Sequence, residues 1–283
     1  MDYVYEMPEA MLKACDRKGT VERFEYDTFT YEENNQPMHK GAWVYLPYRY
    51  DAGKKYNILY LMHGGGVTED WWFKMFPDTV TILDNMIAAG LCEPLIIVTP
   101  TYYRNGNLQE TGEYVTEHFH TELRKDLIPA VEAKYSVYSA GDVSEANLIA
   151  TREHRAFAGL SLGSMTTYRS ALYHNYDLFA WYGPFSGCCG PYGDRDLEIR
   201  RICETLEEGE KKGLPLRYMF CCNGDQDIAY AEHIDIMQRT IPVCPQLKQG
   251  ENYDFFVIPG GFHDMKAWQL HLYHALQIFF NEV

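Results

Sequence analysis

Gly159-Leu160-Ser161-Leu162-Gly163 reads as a serine held on a tight turn between a strand and a helix. Arg155-Ala156-Phe157-Ala158 ahead of it is a short apolar run suited to a buried strand, and Ser164 to Tyr173 behind it (SMTTYRSALY) carries a helical pattern. A serine at such a corner projects its hydroxyl from the carboxyl edge of a sheet. The flanking glycines lack the Cβ atoms that would clash as the backbone folds on itself. The following helix aims its N-terminal N–H groups and positive dipole end at the same point.

Outward from this corner, short apolar runs alternate with helical patterns. Strands are expected at Asn57–Met62, Pro94–Val98, Arg155–Ala158, Phe179–Tyr182, Arg217–Cys222 and Asp254–Ile258. Helices are expected at Thr79–Ala89, Tyr114–Lys134, Ser164–Tyr173, Asp196–Lys212, Ala229–Ile241 and Met265–Phe280. Ahead of these, Val21 to Tyr31 alternates and Ala42 to Leu46 is apolar, which predicts an opening antiparallel hairpin. The pattern is that of an α/β protein with a mostly parallel sheet covered on both faces. Without an internal repeat or a linker rich in Gly, Pro or Ser, residues 1–283 read as one domain, with 1–20 as an N-terminal extension. Two stretches, Tyr102–Gly112 and Gly183–Arg195, read as surface loops near the active edge.

The net charge of −15 opposes binding to nucleic acid, to anionic membranes and to polyanionic substrates, and favours neutral molecules or esters whose acid is masked until cleavage. No apolar run approaches the length of a membrane span. The N-terminal stretch has neither a basic leader nor an apolar core. Cys15, Cys92, Cys188, Cys189, Cys203, Cys221, Cys222 and Cys244 are scattered, with Cys221 and Cys222 in an apolar run, and read as reduced, buried small side chains. Together these features place the protein in the cytoplasm, the alternative being a secreted form whose leader has been removed. There is no C-x-x-C pair for a zinc site and no G-x-G-x-x-G frame for a dinucleotide, so neither a metal nor a cofactor is expected.

A serine hydroxyl is a poor nucleophile; it needs a histidine base, an acid to orient that base, and donors for the developing oxyanion. In an open parallel sheet such parts converge beyond the carboxyl ends of strands. His63-Gly64-Gly65-Gly66, Ser161, the pair Asp225 and Asp227, and His263 each lie just past an expected strand. His263, in a glycine-bracketed loop after the last strand, is the base; His118, His120, His154, His271 and His274 read as surface or packing residues. His63 is better placed to shape the oxyanion loop than to act as a base. Either Asp225 or Asp227 fits the acid on spacing; Asp225 suits the open turn after Gly224, which favours Asp227. Gly64-Gly65-Gly66 lacks the Lys-Ser/Thr of a phosphate loop, so the backbone N–H groups of Gly65 and Leu162 are the expected oxyanion donors. The chain order Ser, Asp, His is that of the α/β-hydrolases.

Val44-Tyr45-Leu46-Pro47, Tyr56 to Gly66, Pro94 to Pro100, Tyr135 to Tyr138, Glu153 to Ser161 and Gly260-Gly261-Phe262-His263-Asp264 together resemble carbohydrate esterase family 1, and among its members the bacterial feruloyl esterase modules of plant cell-wall enzymes. The resemblance runs in order from about residue 20 to 275. It implies an α/β-hydrolase fold with Ser161 as nucleophile, Asp227 as acid and His263 as base. It also implies a serine carboxylesterase that cleaves feruloyl or other hydroxycinnamoyl esters of plant cell-wall saccharides through an acyl-enzyme. Acetyl-xylan esterase is the alternative on the same residues, and a non-catalytic carbohydrate-binding protein on a hydrolase scaffold is the rival from another class. The partner is then a small-molecule or oligosaccharide ester. The chain departs from the family pattern at Gly65, Leu162, Ser164 and Met165. Trp71, Trp72, Tyr102 and Trp181 follow or border these segments and are candidates for stacking against a flat acyl group or a sugar ring.

Overall fold

Asn57-Ile58-Leu59-Tyr60-Leu61-Met62 is apolar without a break after its first residue, yet its side chains sort strictly by parity in the fold. The computed structural model describes residues 3–31, 33–104, 106–110, 112–187 and 194–281. In it, Ile58, Tyr60 and Met62 enter one core while Leu59 and Leu61 enter a second core on the opposite face of the sheet. Such two-sided burial is the mark of a central parallel strand.

Eight strands form the sheet: β1 (Thr20–Phe29), β2 (Pro37–Leu46), β3 (Asn57–Met62), β4 (Leu95–Thr99), β5 (Arg155–Leu160), β6 (Trp181–Phe185), β7 (Tyr218–Gly224) and β8 (Tyr253–Ile258). Their order is β1-β2-β4-β3-β5-β6-β7-β8. The hairpin β1–β2 is antiparallel, β2 joins β4 antiparallel, and every later pairing is parallel. The edge strand β1 alternates as an edge should, with Phe24, Tyr26 and Thr28 buried and Glu25 and Asp27 exposed.

The helices are α1 (Glu9–Leu12), α2 (Asp78–Ala88), α3 (Gly112–Glu122), α4 (Ile128–Lys134), α5 (Glu145–Ala150), α6 (Leu162–Thr166), α7 (Arg195–Lys211), α8 (Tyr230–Thr240) and α9 (Met265–Ile278). Val115, Ile128, Ile202 and Ile236 place α3, α4, α7 and α8 over one face; Leu83, Met86, Leu270 and Leu272 place α2 and α9 over the other. Among the described residues no helix is long and apolar enough to cross a membrane. Ahead of β1, Tyr3 packs against Phe256 with ring centroids 4.9 Å apart and donates to Asp254 Oδ2 at 2.6 Å. The N-terminal segment thereby lies along the β8 edge.

Three expectations need correction. The stretch Tyr114–Lys134 is two helices joined by a π-turn at Leu123–Leu127, because Pro129 in the first turn of α4 has no N–H to continue the α-helical ladder. The strand expected at Phe179–Tyr182 lies two residues later, so Gly183-Pro184-Phe185 is buried sheet and not the start of a loop. The expected helix Ser164–Tyr173 begins at Leu162 and widens to a π-turn at Thr167–Tyr173, where the Thr166 and Thr167 hydroxyls bond back to Leu162 O and Gly163 O at 2.9 Å each. Cys15, Cys92, Cys203, Cys221, Cys222 and Cys244 are free thiols, while Cys188 and Cys189, in the remainder of the expected Gly183–Arg195 loop, lie outside the described residues.

Candidate active site

Ser161 closes β5 and caps α6 with φ 55° and ψ −117°, a conformation that non-glycine residues adopt only when the surroundings enforce it. Two contacts enforce it here. A Cβ on Gly159 would stand 2.5 Å from the Gly163 carbonyl oxygen, and a Cβ on Gly163 would stand 2.5 Å from the His63 carbonyl oxygen, so the turn closes only around bare backbone. The Ser161 N–H donates to Phe185 O at 2.9 Å, which ties the corner to the end of β6. Ser164 is buried and donates its hydroxyl to the Gly187 carbonyl, tying α6 to the segment after β6.

The loop after β3 packs directly on this corner. A Cβ on Gly64 would lie 3.4 Å from Ser161 Cβ, and one on Gly65 would lie 2.8 Å from Leu162 Cδ1, so Gly65 and Leu162 are brought side by side next to the serine. His63 is only 1% exposed. Its Nδ1 lies 2.7 Å from Gly64 O and its Nε2 lies 2.8 Å from Thr101 Oγ1. The carbonyl can only accept, so Nδ1 carries the proton and Nε2 accepts from the threonine. His63 therefore holds the loop and has no lone pair to offer a substrate.

Asp227 and His263 arrive from the ends of β7 and β8. His263 Nδ1 lies 2.8 Å from Asp227 Oδ1, an oxygen that also accepts the Ala229 N–H at 2.8 Å. Burial pushes the Asp227 carboxyl up, but these two hydrogen bonds and the neighbouring Ser186 hydroxyl outweigh it and hold the group below the usual carboxylate range. Ser186 itself follows β6 with φ 56°, its N–H bonded to Cys222 O at 2.8 Å, and its hydroxyl stands beside the carboxylate without a well-aligned bond to Oδ2. The Phe185–Gly187 segment thus touches Ser161 on one side and Asp227 on the other. Asp225 serves the loop instead of the base, since its Oδ1 accepts the Gly260 N–H at 2.8 Å and so clips the histidine-bearing loop to the end of β7. An edge-on Trp268 ring, 5.0 Å from the His263 ring, backs the imidazole, a contact not singled out from the sequence.

The aromatic candidates fare differently. Trp72 is fully buried and donates to Met62 O at 3.1 Å, so it is a core residue. Trp181 opens β6 at the end of the strand opposite to Phe185 and Ser161, and donates to Glu153 O at 2.7 Å; it cannot reach a substrate at the carboxyl edge. Tyr102 is 2% exposed and turned into the loop after β3, with its hydroxyl on Gly64 O at 2.6 Å. Sequence proximity to a loop is a weak guide to side-chain direction, and all three are corrected from substrate contacts to structural groups. Trp71 alone stays half-buried near the site, edge-on to Trp268 at 6.5 Å.

Burial lowers the pKa of His63 to about 4 and those of His233 and His271 to about 3. These groups are neutral in the folded chain at pH 6, whereas their unfolded counterparts protonate below about pH 6.5. The unfolded state then binds more protons, so stability falls as pH drops from about 6.5 toward 4, by up to about 1.4 kcal/mol per pH unit for each histidine. Urea midpoints measured between pH 7 and pH 4.5 should fall accordingly, and His233→Gln should remove about one proton from that slope; an unchanged slope would contradict the assignment.

A serine at a strand–helix elbow, a glycine loop beside it, and an acid and histidine after the last two strands of a sheet ordered 1-2-4-3-5-6-7-8 define an α/β-hydrolase. Residues 35–279 match the family model described as putative esterase, and the chain belongs to that esterase family. It is 34% identical over 283 residues to endo-1,4-beta-xylanase Y of Acetivibrio thermocellus, covering 97% of this chain but only 24% of that protein. A serine-to-alanine mutant of the feruloyl esterase module from Clostridium thermocellum, complexed with sinapinate, superposes with a TM-score of 0.85 at 33% identity, over 100% of this chain and 95% of that one. A ferulic acid esterase from the anaerobic fungus Anaeromyces mucronatus shares the fold at TM-score 0.72 and 20% identity, over 99% and 98% of the two chains.

Proposed function

We propose that this protein is a serine esterase that hydrolyses hydroxycinnamoyl esters, feruloyl esters above all, of plant cell-wall saccharides. The observation that supports the chemistry is the 2.8 Å contact between His263 Nδ1 and Asp227 Oδ1, at the same carboxyl edge of the sheet from which Ser161 projects on its elbow. With Nδ1–H committed to the carboxylate, the other ring nitrogen, Nε2, is the base. It takes the Ser161 proton as Oγ attacks the ester carbonyl carbon, and the N–H groups of Gly65 and Leu162 receive the oxyanion. Collapse of the tetrahedral species breaks the bond to the sugar oxygen, which leaves with the proton from Nε2. Water, deprotonated by the same nitrogen, then cleaves the acyl-serine to release the acid.

Support for the acyl group comes from the relatives: one is a feruloyl esterase module seen with sinapinate, itself a hydroxycinnamate, and another is a xylanase. The net charge of −15 suits a neutral ester better than an anionic polymer.

Methyl ferulate and an acetylated xylo-oligosaccharide, offered side by side with Ser161→Ala as the blank, test the proposal. Fast Ser161-dependent release of ferulate, with acetate release at least about tenfold slower in kcat/KM, is the expected result. Acetate release alone would overturn the hydroxycinnamoyl assignment, and silence on both would favour a binding protein.

A further inference from the structure

The peptide that joins Gly64 to Gly65 is gripped from behind. Its carbonyl oxygen accepts two hydrogen bonds, from the Tyr102 hydroxyl at 2.6 Å and from His63 Nδ1 at 2.7 Å. The described peptides include no cis bond, and in a trans peptide the N–H points opposite to the C=O. Holding the Gly64 oxygen toward Tyr102 and His63 therefore turns the Gly65 N–H to the other side. Among the described residues that N–H has no hydrogen-bond partner, and neither has the N–H of Leu162. Two donors on one carbonyl also polarise the amide and strengthen its N–H as a donor.

The grip is itself supported in depth. Thr101 Oγ1 donates to His63 Nε2 at 2.8 Å and so holds the far side of the ring, whose proton the Gly64 carbonyl keeps on Nδ1. The Thr101 carbonyl accepts from buried Lys40 Nζ at 2.7 Å, and Lys40 is paired with buried Glu122 at 2.8 Å. The next peptide is also held, since the Gly66 N–H donates to the Tyr103 hydroxyl at 2.9 Å. The rings of Tyr102 and His63 pack with centroids 4.6 Å apart, which holds the Tyr102 ring against the loop.

We propose that Tyr102 is a positioning residue for catalysis: by pinning the Gly64 carbonyl with His63, it aims the Gly65 N–H at the oxyanion. This rests on the esterase reading, with Gly65 as one of the two oxyanion donors. The role differs from substrate binding, because the Tyr102 hydroxyl never meets the substrate. Its loss weakens the stabilisation of charge that exists only in the transition state, and so lowers kcat with little change in KM.

Tyr102→Phe keeps the ring and removes only the hydroxyl. Complete loss of an oxyanion donor costs about 10²–10³ in kcat, and a misaimed donor with His63 still in place costs a part of that, about tenfold or more. Methyl ferulate kcat should drop by about that factor, while KM and the inhibition constant of free ferulate stay within about twofold. The rate of Ser161 phosphonylation by a fluorophosphonate should fall in parallel, because Oγ attack on phosphorus with loss of fluoride also develops charge on an oxygen in that hole. Thr101→Val, which removes the anchor on His63 Nε2 and loosens the ring that helps hold the Gly64 carbonyl, provides a second variant with the same expected signature if Tyr102→Phe folds poorly. Unchanged kcat and labelling rates in a folded variant would overturn the proposal, as would a KM or ferulate constant that rises as much as kcat falls. A parent that is labelled at Ser161 yet spares methyl ferulate would sink the substrate assignment alone, since the labelling rates still decide the role of Tyr102.

Discussion

Replacing Ser161 by alanine is expected to lower kcat on methyl ferulate by at least about 10³ while leaving the fold unchanged. The size follows from what is removed. Without Oγ there is no acyl-enzyme, and hydrolysis falls back on water attacking in a site where only the oxyanion donors and the binding contacts remain; such a residual site retains a small part of the acceleration. The fold should survive because the elbow is closed by backbone: Gly159 against Gly163, Gly163 against His63, and the Ser161 N–H on Phe185 O at 2.9 Å. No described hydrogen bond of the Ser161 side chain is lost, and relief of the strained φ of 55° is not expected, since alanine must adopt it as well. Far-ultraviolet circular dichroism and the urea midpoint should match the parent within error. Activity within tenfold of the parent would sink the assignment of Ser161.

The elbow was the most legible part of the chain because its chemistry is local: glycine, serine and glycine at fixed spacing between a strand and a helix leave few alternatives. The same holds for the continuous apolar runs that became β3, β4 and β5. What sequence could not reach was decided by partners far along the chain. Gly183-Pro184 reads as a turn, yet Gly159 pairs with Pro184 and Phe185 with Cys222, so neighbours on both sides draw these residues into the sheet. Asp225 and Asp227 look equivalent on spacing. The turn after Gly224 and the family resemblance favour Asp227, and the fold shows the physical difference: Asp225 meets the Gly260 N–H and Asp227 meets His263. Tyr102 stands out in the sequence for its ring and for its place near the glycine loop, but the sequence says nothing about which way a side chain turns. Trp268 lies inside a helical pattern, and which face of that helix meets His263 is set by contacts distant in sequence.

The second large effect should appear far from the chemistry, at the amino end of the nucleophile strand. Arg155 is 1% exposed and opens β5. Its Nε and Nη2 grip the two oxygens of buried Glu132 at 2.5 and 2.8 Å, and its Nη1 donates to Leu148 O at 2.9 Å and Leu178 O at 2.7 Å. One guanidinium thus satisfies α4, α5 and the segment before β6 at once, a geometry that the planar fork of arginine suits and lysine does not. Arg155→Met removes the cation and strands a carboxylate and two carbonyls away from water, which costs about 3–5 kcal/mol. Against a total stability of about 5–15 kcal/mol for a domain, this is a loss of about a fifth or more. Glu132→Leu alone should cost a similar amount, because it strands the cation instead. The double variant Glu132→Leu with Arg155→Met should be more stable than the sum of the single changes allows, since with both charges gone no buried ion is stranded and what is missing is the hydrogen bonds to Leu148, Leu178 and Thr151 and the one from the Tyr60 hydroxyl. Urea unfolding of the four proteins measures this directly. Additive losses would show that the pair is not coupled in the folded chain, and a loss below about 1 kcal/mol for Arg155→Met would mean that water reaches Glu132 after all.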